Sequence, residues 1–142
     1  ENPSVTTLSV HMADGWPLDG PEYDADGRPN PAFIPSDIDI PVAAGEEAQY
    51  VPRLEKGLAA LDAHPRPDLA VVVCGSDPYE YDELPSTTDL RLTLDQLMDR
   101  DRLIYTFLKD RAIPMAWLMS GGYGERSWEV YTQFLIWAMG RR

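Results

Sequence analysis

Two apolar segments with a helix between them constrain the fold of this chain most. The first segment runs from Leu69 to Cys74 and the second from Pro114 to Met119. Between them, Thr93 with Gln96 forms a capping box, and apolar residues then recur at helical spacing to about Arg111. Because two parallel strands need a long crossover, usually a helix, this order predicts adjacent parallel strands. The continuous apolar character of both segments predicts buried strands, and it suits the first to a central strand covered on both faces.

The remaining segments extend the alternation of strands and helices. β-Branched residues predict a first strand over Ser4–Val10, and Pro41 indicates a short edge strand over Ile38–Val42. The helical spacing of apolar residues predicts two more helices, over Glu46–Ala63 and about Ser127–Gly140. The last helix is apolar almost all round and therefore needs burial on more than one side. Residues 13–36 are rich in Pro, Gly and Asp and predict a long irregular loop. This order predicts an α/β fold with a parallel sheet and right-handed crossovers.

The composition of the chain limits the classes of partner and the compartment that we expect. The length of 142 residues suits one domain, and a net charge of −12 argues against nucleic-acid or anionic-membrane partners, which require a cationic face. The charge is compatible with a cationic substrate, and it also serves solubility alone. The single cysteine, Cys74, excludes an internal disulfide and suits a reducing compartment. With no transmembrane-length apolar run and no visible signal peptide, we expect a cytoplasmic protein.

The candidate site lies where the two apolar strands end, since ligands of open α/β sheets bind beyond the carboxyl ends of the strands. Asp77 follows the first strand, where partial burial would call for a metal, a cation or hydrogen-bond donors. An Asp before Pro78 is also a common turn cap. After the second strand, Gly121 and Gly122 allow close backbone approach to a ligand. Tyr123 is suited to donate to developing negative charge, or simply to pack as a loop aromatic.

Other catalytic classes find little support. His11 and His64 are the only histidines, and we expect a structural role for the first and surface exposure for the second. A zinc site takes three or four protein ligands, which this chain by itself does not easily complete. Asp82 fits a solvated loop residue better than an acid that supports a site. The sequence contains no G-x-S-x-G elbow and no Walker or Rossmann glycine pattern.

Several motifs occur in a characteristic order along essentially the whole chain: Pro3–His11, Trp16–Pro17, Ser36–Gly45, Tyr50, Arg66–Pro78, Asp82–Leu84, Leu92–Thr93, Arg100–Asp101 and Gly121–Tyr123. Together they resemble the second half of histone deacetylase-like amidohydrolases, and most closely the bacterial, class IV-like members. The resemblance implies the arginase/deacetylase α/β fold, with residues 1–142 forming only its C-terminal part. It also implies zinc-dependent removal of acetyl or other acyl groups from lysine side chains or polyamines.

The resemblance assigns roles to individual residues. Asp77 resembles the last zinc ligand, and Tyr123 resembles the tyrosine that polarises the acetyl carbonyl and holds the oxyanion. The Ser9 hydroxyl and the Val10 carbonyl resemble ligands of a structural potassium ion. The substrate pocket would include Trp16, Leu84, Gly121 and Gly122.

Departures from the family pattern point to a partner. The D-x-H motif and the paired histidines of the family lie upstream of Ser4 and are not in this chain. Pro85 and Ser120 stand where glycines are common, and the loop after Trp16 is longer than usual. We therefore expect the N-terminal half of the same fold, as a separate or cleaved chain, to complete the enzyme. The alternative is a non-catalytic half-domain that binds a ligand or partner; an arginase relative fits less well, because arginases use two metals and more carboxylates after this strand.

Overall fold

The computed structural model describes residues 2–15, 18, 20–31 and 33–140. The chain forms two compact units, one up to His64 and one from Pro65 onward. Each unit contains a two-stranded parallel sheet and at least one helix. The predicted α/β class with parallel strands and flanking helices is thus confirmed. Over these residues, no helix has the length and apolarity required to cross a membrane.

The first unit pairs strands β1 (Leu8–Met12) and β2 (Ile38–Val42) in parallel, with Leu8 opposite Ile38. Helix α1 (Tyr50–Ala60) follows, with short 3-10 turns at Glu47–Gln49 and Leu61–Ala63 on either side. The helix packs against the strands, and the buried apolar residues among those described in this unit are Ile40, Val42, Tyr50, Leu54 and Leu58. The predicted helix over residues 46–63 is therefore confirmed, with 3-10 geometry at its ends.

The first strand begins later than its sequence predicts. Residues 4–7 lie outside β1, and the strand continues past Val10 to Met12. The Val5 N–H donates to the Asn2 carbonyl at 3.0 Å in a turn, and the Thr7 N–H donates to Oδ2 of Asp37 at 2.7 Å, so neither N–H pairs with a neighbouring strand. In the predicted loop, the described residues form no helix or strand, and an isolated bridge joins Tyr23 to Pro29.

The second unit contains the predicted strand–helix–strand arrangement. Strands β3 (Ala70–Gly75) and β4 (Met115–Ser120) pair in parallel, and helix α2 (Leu94–Asp110) connects them. Thr93 Oγ1 accepts from the Gln96 N–H, and Gln96 Oε1 accepts from the Thr93 N–H, so the predicted capping box is confirmed. Helix α3 (Ser127–Met139) closes the unit.

Helices α2 and α3 cover one face of the β3–β4 sheet. Val72 and Cys74 of β3 form a buried cluster with Leu108 and Ile113. Trp117 of β4 lies on the same face and stacks on Phe134 of α3, with ring centroids 4.4 Å apart. Strand residues alternate between faces, so Val72 and Cys74 of β3 enter this core, and Ala70, Met115 and Trp117 pack against it.

The opposite face of this sheet is bare. Val71 and Val73 of β3 are 59% and 63% exposed, and Leu118 of β4 is 46% exposed. The expectation that β3 is covered on both faces, and that β4 is buried, is therefore wrong for this chain. The physical reason is that both helices of the unit lie on the other face. Helix α3 also keeps large apolar side chains exposed, namely Trp128, Leu135, Ile136 and Met139.

Candidate functional site

The carboxyl ends of β3 and β4 lie side by side. Gly75 is opposite Ser120 in the ladder, and the Ser76 N–H donates to the Gly121 carbonyl at 2.9 Å. The loop that carries Asp77 therefore starts next to the loop that carries Tyr123. The sheet brings together the two strand ends at which the sequence places candidate chemistry.

Asp77 lies in a cradle formed by two glycines. A Cβ atom on Gly75 would overlap Oδ1 of Asp77, and one on Gly121 would lie 2.6 Å from the same oxygen. Gly121 also has a φ of +32°, a conformation that other residues rarely adopt. Glycine at these two positions therefore gives the carboxylate its room.

The electrostatic surroundings of Asp77 favour its neutral form. Burial raises the pKa of Asp77 above its ordinary value, and the negative charge of Asp82 raises the pKa further. The Arg100 guanidinium acts in the opposite direction. A half-buried carboxylate with a raised pKa gains most from a cation or metal that stabilises its charged form.

Tyr131 of α3 clamps the two strand ends. Its hydroxyl oxygen lies 2.5 Å from the Ser120 carbonyl and 2.6 Å from the Gly121 carbonyl, and it accepts from the Ser76 N–H at 3.2 Å. This role is not apparent from the sequence, because Tyr131 sits within an apolar helical pattern. The available signal was the phenol itself, which usually finds a polar partner when it is partly buried.

A buried ion pair between Arg100 and Asp101 contacts the end of β3. Arg100 Nε donates to Oδ1 of Asp101 at 2.7 Å, and Arg100 Nη1 donates to the Gly75 carbonyl at 2.8 Å. Both side chains are nearly inaccessible to solvent. The Cys74 thiol hydrogen-bonds to Asp101, and burial raises the pKa of this thiol to about 12. The network fixes the last residues of β3, from which the Asp77 loop departs.

The loops after β3 and β4 are joined through Asp82. The Tyr123 N–H donates to Oδ2 of Asp82 at 2.7 Å, and the Leu84 N–H donates to Oδ1 at 3.0 Å. Asp82 is only 5% exposed, so the expectation of a solvated loop residue is wrong. The Tyr123 side chain is 59% exposed, whereas Leu84 is half-buried. Next to Tyr123, Gly122 has a φ of +130°, and a Cβ atom there would overlap the Ser76 hydroxyl.

The proposed potassium ligands belong to the first unit. Ser9 and Val10 lie on β1 and are half-buried. Ser9 is opposite Asp39 of β2. His11 is buried, as expected of a structural histidine; its Nε2 lies 3.4 Å from Oδ1 of Asp39. The potassium role stays a prediction, and Trp16 lies outside the described residues.

The metal donors among the described residues do not complete a zinc site. In the part of the chain that the structure describes, no group of three or more His, Cys, Asp and Glu residues is arranged to hold a metal. Asp77 by itself fits a ligand, because its carboxylate is half-buried in a glycine cradle and burial disfavours its charged form. A zinc ion would need donor atoms in addition to those of Asp77.

The second unit is thus an α/β unit whose carboxyl edge carries an acid and a tyrosine on adjacent loops. Comparison with known proteins identifies the class: the histone deacetylase domain model matches residues 1–139. This chain belongs to the histone deacetylase family, as its motif order predicts. It is 28% identical over 95 residues to histone deacetylase 2 of Arabidopsis thaliana, a match that covers 67% of this chain and 24% of that protein.

Proposed function

We propose that this chain supplies part of the active site of a zinc-dependent deacetylase that acts on acylated lysine side chains or polyamines. Family membership supports a deacetylase-like hydrolase. The observation that carries the proposal is the placement of the Asp77 carboxylate and the Tyr123 loop at adjacent strand ends.

The residues of the second unit would have different roles in this reaction. When bound, zinc would act as a Lewis acid and lower the pKa of a water molecule. Asp77 would contribute one anionic ligand from its glycine cradle. The Tyr123 hydroxyl, on an exposed side chain, would donate to the amide oxygen as negative charge develops there. Leu84, Gly121 and Gly122 would line the pocket beside them.

Three residues of the first unit also have proposed roles. We propose that the Ser9 hydroxyl and the Val10 carbonyl help to bind a structural potassium ion. Trp16 would line the substrate pocket. These roles rest on the family resemblance of the motifs around them.

We propose that the N-terminal half of the same fold, as a separate or cleaved chain, provides the other zinc ligands and the proton-transferring histidines. The bare apolar face of the β3–β4 sheet supports this proposal, because parallel sheets are usually covered on both faces. The exposed Trp128, Leu135 and Ile136 of α3 support it as well. A folded, zinc-loaded monomer of this chain with deacetylase activity would contradict it.

A second candidate is a non-catalytic half-domain that binds a partner or an acylated ligand. It is favoured by the lack of a three-donor metal group among residues 2–15, 18, 20–31 and 33–140. The two candidates predict different results when the Tyr123 hydroxyl is removed. In a catalytic subunit, the turnover would fall. A binding subunit would still bind its partner, and no reaction rate would change.

Charge and cysteine content suggest the substrate and the compartment. The net charge of −12 favours cationic substrates, which include acetyl-lysine peptides and acetylpolyamines. The buried free thiol of Cys74 suits a reducing compartment, so we propose a cytoplasmic location.

Metal analysis of the assembled protein, with both halves present, tests the proposal. We expect bound zinc and hydrolysis of an acetyl-lysine peptide or an acetylpolyamine. Asp77→Ala should lower the zinc content, whereas Asp89→Ala, an exposed Asp of the same connection, should not. Full zinc occupancy in Asp77→Ala would rule out ligation by this carboxylate.

A further inference from the structure

Asp82 connects the two loops of the candidate site. It lies in the connection between β3 and α2, and its carboxylate is buried. One oxygen accepts from the Tyr123 N–H at 2.7 Å. The other accepts from the Leu84 N–H at 3.0 Å and lies 3.3 Å from the Thr87 hydroxyl. Hydrogen bonds to a charged acceptor are among the stronger ones in proteins, so this carboxylate is a firm anchor.

The backbone that carries Asp82 is itself fixed. Arg91 Nη1 donates to the Asp82 carbonyl at 2.7 Å and lies 3.2 Å from the Tyr79 carbonyl. Tyr79 is 2% exposed, so this stretch of the connection is held by burial as well as by hydrogen bonds. The carboxylate of Asp82 therefore occupies a defined place relative to β3.

The segment after Tyr123 packs directly against the same stretch. A Cβ atom on Gly124 would lie 2.6 Å from the Tyr81 carbonyl and 3.3 Å from Cα of Asp82. The Glu125 N–H donates to Oε1 of Glu83 at 3.2 Å. The two loops thus meet at Tyr123, Gly124 and Glu125 in succession.

The side chain of Tyr123 cannot fix its own position by burial, because it is 59% exposed. Its backbone anchor must then determine where the phenol lies. We propose that Asp82 is a positioning residue, which holds the Tyr123 main chain so that the phenol faces the substrate. The inference rests on the proposed function of Tyr123, and Asp82 acts only through that residue.

Hydrogen exchange tests the anchor without requiring catalysis. In the wild-type protein, we expect the Tyr123 amide hydrogen to exchange slowly despite the exposed side chain. Asp82→Asn should accelerate this exchange about tenfold or more, because an amide group offers only one accepting oxygen to two N–H donors. Asp89→Asn serves as the control and should leave the rate unchanged. An unprotected Tyr123 amide in the wild type would overturn the proposal even if the Asp82 variant failed to fold.

Kinetics of the assembled protein test the consequence. Asp82→Asn should lower kcat by up to about 100-fold with little change in KM, because a misplaced group loses rate and not ground-state binding. If Tyr123→Phe abolishes turnover while Asp82→Asn keeps the wild-type kcat, the positioning role is wrong. If Tyr123→Phe keeps full activity, the proposed function of Tyr123 fails, and the exchange result still decides whether Asp82 anchors the loop.

Discussion

Replacing Gly121 with alanine tests whether the glycine cradle positions a metal-binding carboxylate. The new Cβ atom would lie 2.6 Å from Oδ1 of Asp77 and 2.7 Å from its Cγ. Ordinary van der Waals contact begins at 3.4 Å, so the carboxylate must move by about 0.8 Å. Metal–ligand distances are held to within roughly 0.2 Å, so we expect zinc affinity to fall about 10–100-fold.

Gly27→Ala provides a matched control for backbone strain. Gly27 also has a positive φ, of +75°, but a Cβ atom there would meet no described atom within 4 Å. Gly27→Ala should lose about 1–2 kcal/mol of stability, since a left-handed conformation costs this much for a residue with a side chain, and Gly121→Ala should lose at least as much because its Cβ atom also meets Asp77. The difference in zinc affinity between them therefore reports the displacement of Asp77.

The assay is a zinc competition titration against a chelator with the assembled protein, together with urea unfolding of each variant. We expect Gly121→Ala to lose zinc affinity and Gly27→Ala to keep it. Equal zinc affinities in the two variants would refute the reasoning, because Asp77 would then not need the place that Gly121 leaves for it.

Three further predictions concern the same end of the second unit. Tyr131→Phe should lower the free energy of unfolding by about 1 kcal/mol through loss of its hydroxyl contacts, measured by urea unfolding with Tyr105→Phe as control; equal losses would contradict the clamp. Cys74 should resist thiol reagents in the native protein at neutral pH, because burial raises its pKa to about 12, and rapid labelling of folded protein would contradict this. Burial also raises the pKa of Asp77 above 3.8, so the folded chain binds this proton more tightly than the unfolded chain, and that stability is lost as the pH rises. Metal-free Asp77→Asn should therefore gain stability over the wild type as the pH rises from about 3 to 7, and a constant difference would contradict the raised pKa.

Local patterns in the sequence predicted most of the elements. The capping box at Thr93 and Gln96 specifies the start of α2, because both hydrogen bonds lie within four residues. The apolar runs before Gly75 and Ser120 predicted β3 and β4, and their parallel pairing follows from the helix between them. The order of motifs also predicted the family.

Features that depend on distant partners were not predicted. Asp82 resembles a solvated loop acid in sequence, and the N–H that explains its burial belongs to Tyr123, 41 residues later. Tyr131 resembles an apolar helix position until its hydroxyl is seen between two strand ends. An apolar run such as Leu69–Cys74 shows that a strand can be covered on both faces, but the sequence does not show which segment covers each face.

The central claim is that Tyr123 acts on the reacting carbonyl of a substrate while Asp77 binds the metal. The most direct test is the kcat of Tyr123→Phe in the assembled protein, with zinc content measured on the same sample and Tyr23→Phe as an exposed-tyrosine control. We predict a fall in kcat of about 100-fold or more with zinc content unchanged, because one oxyanion donor is removed. A kcat within about twofold of the wild-type value would contradict the account.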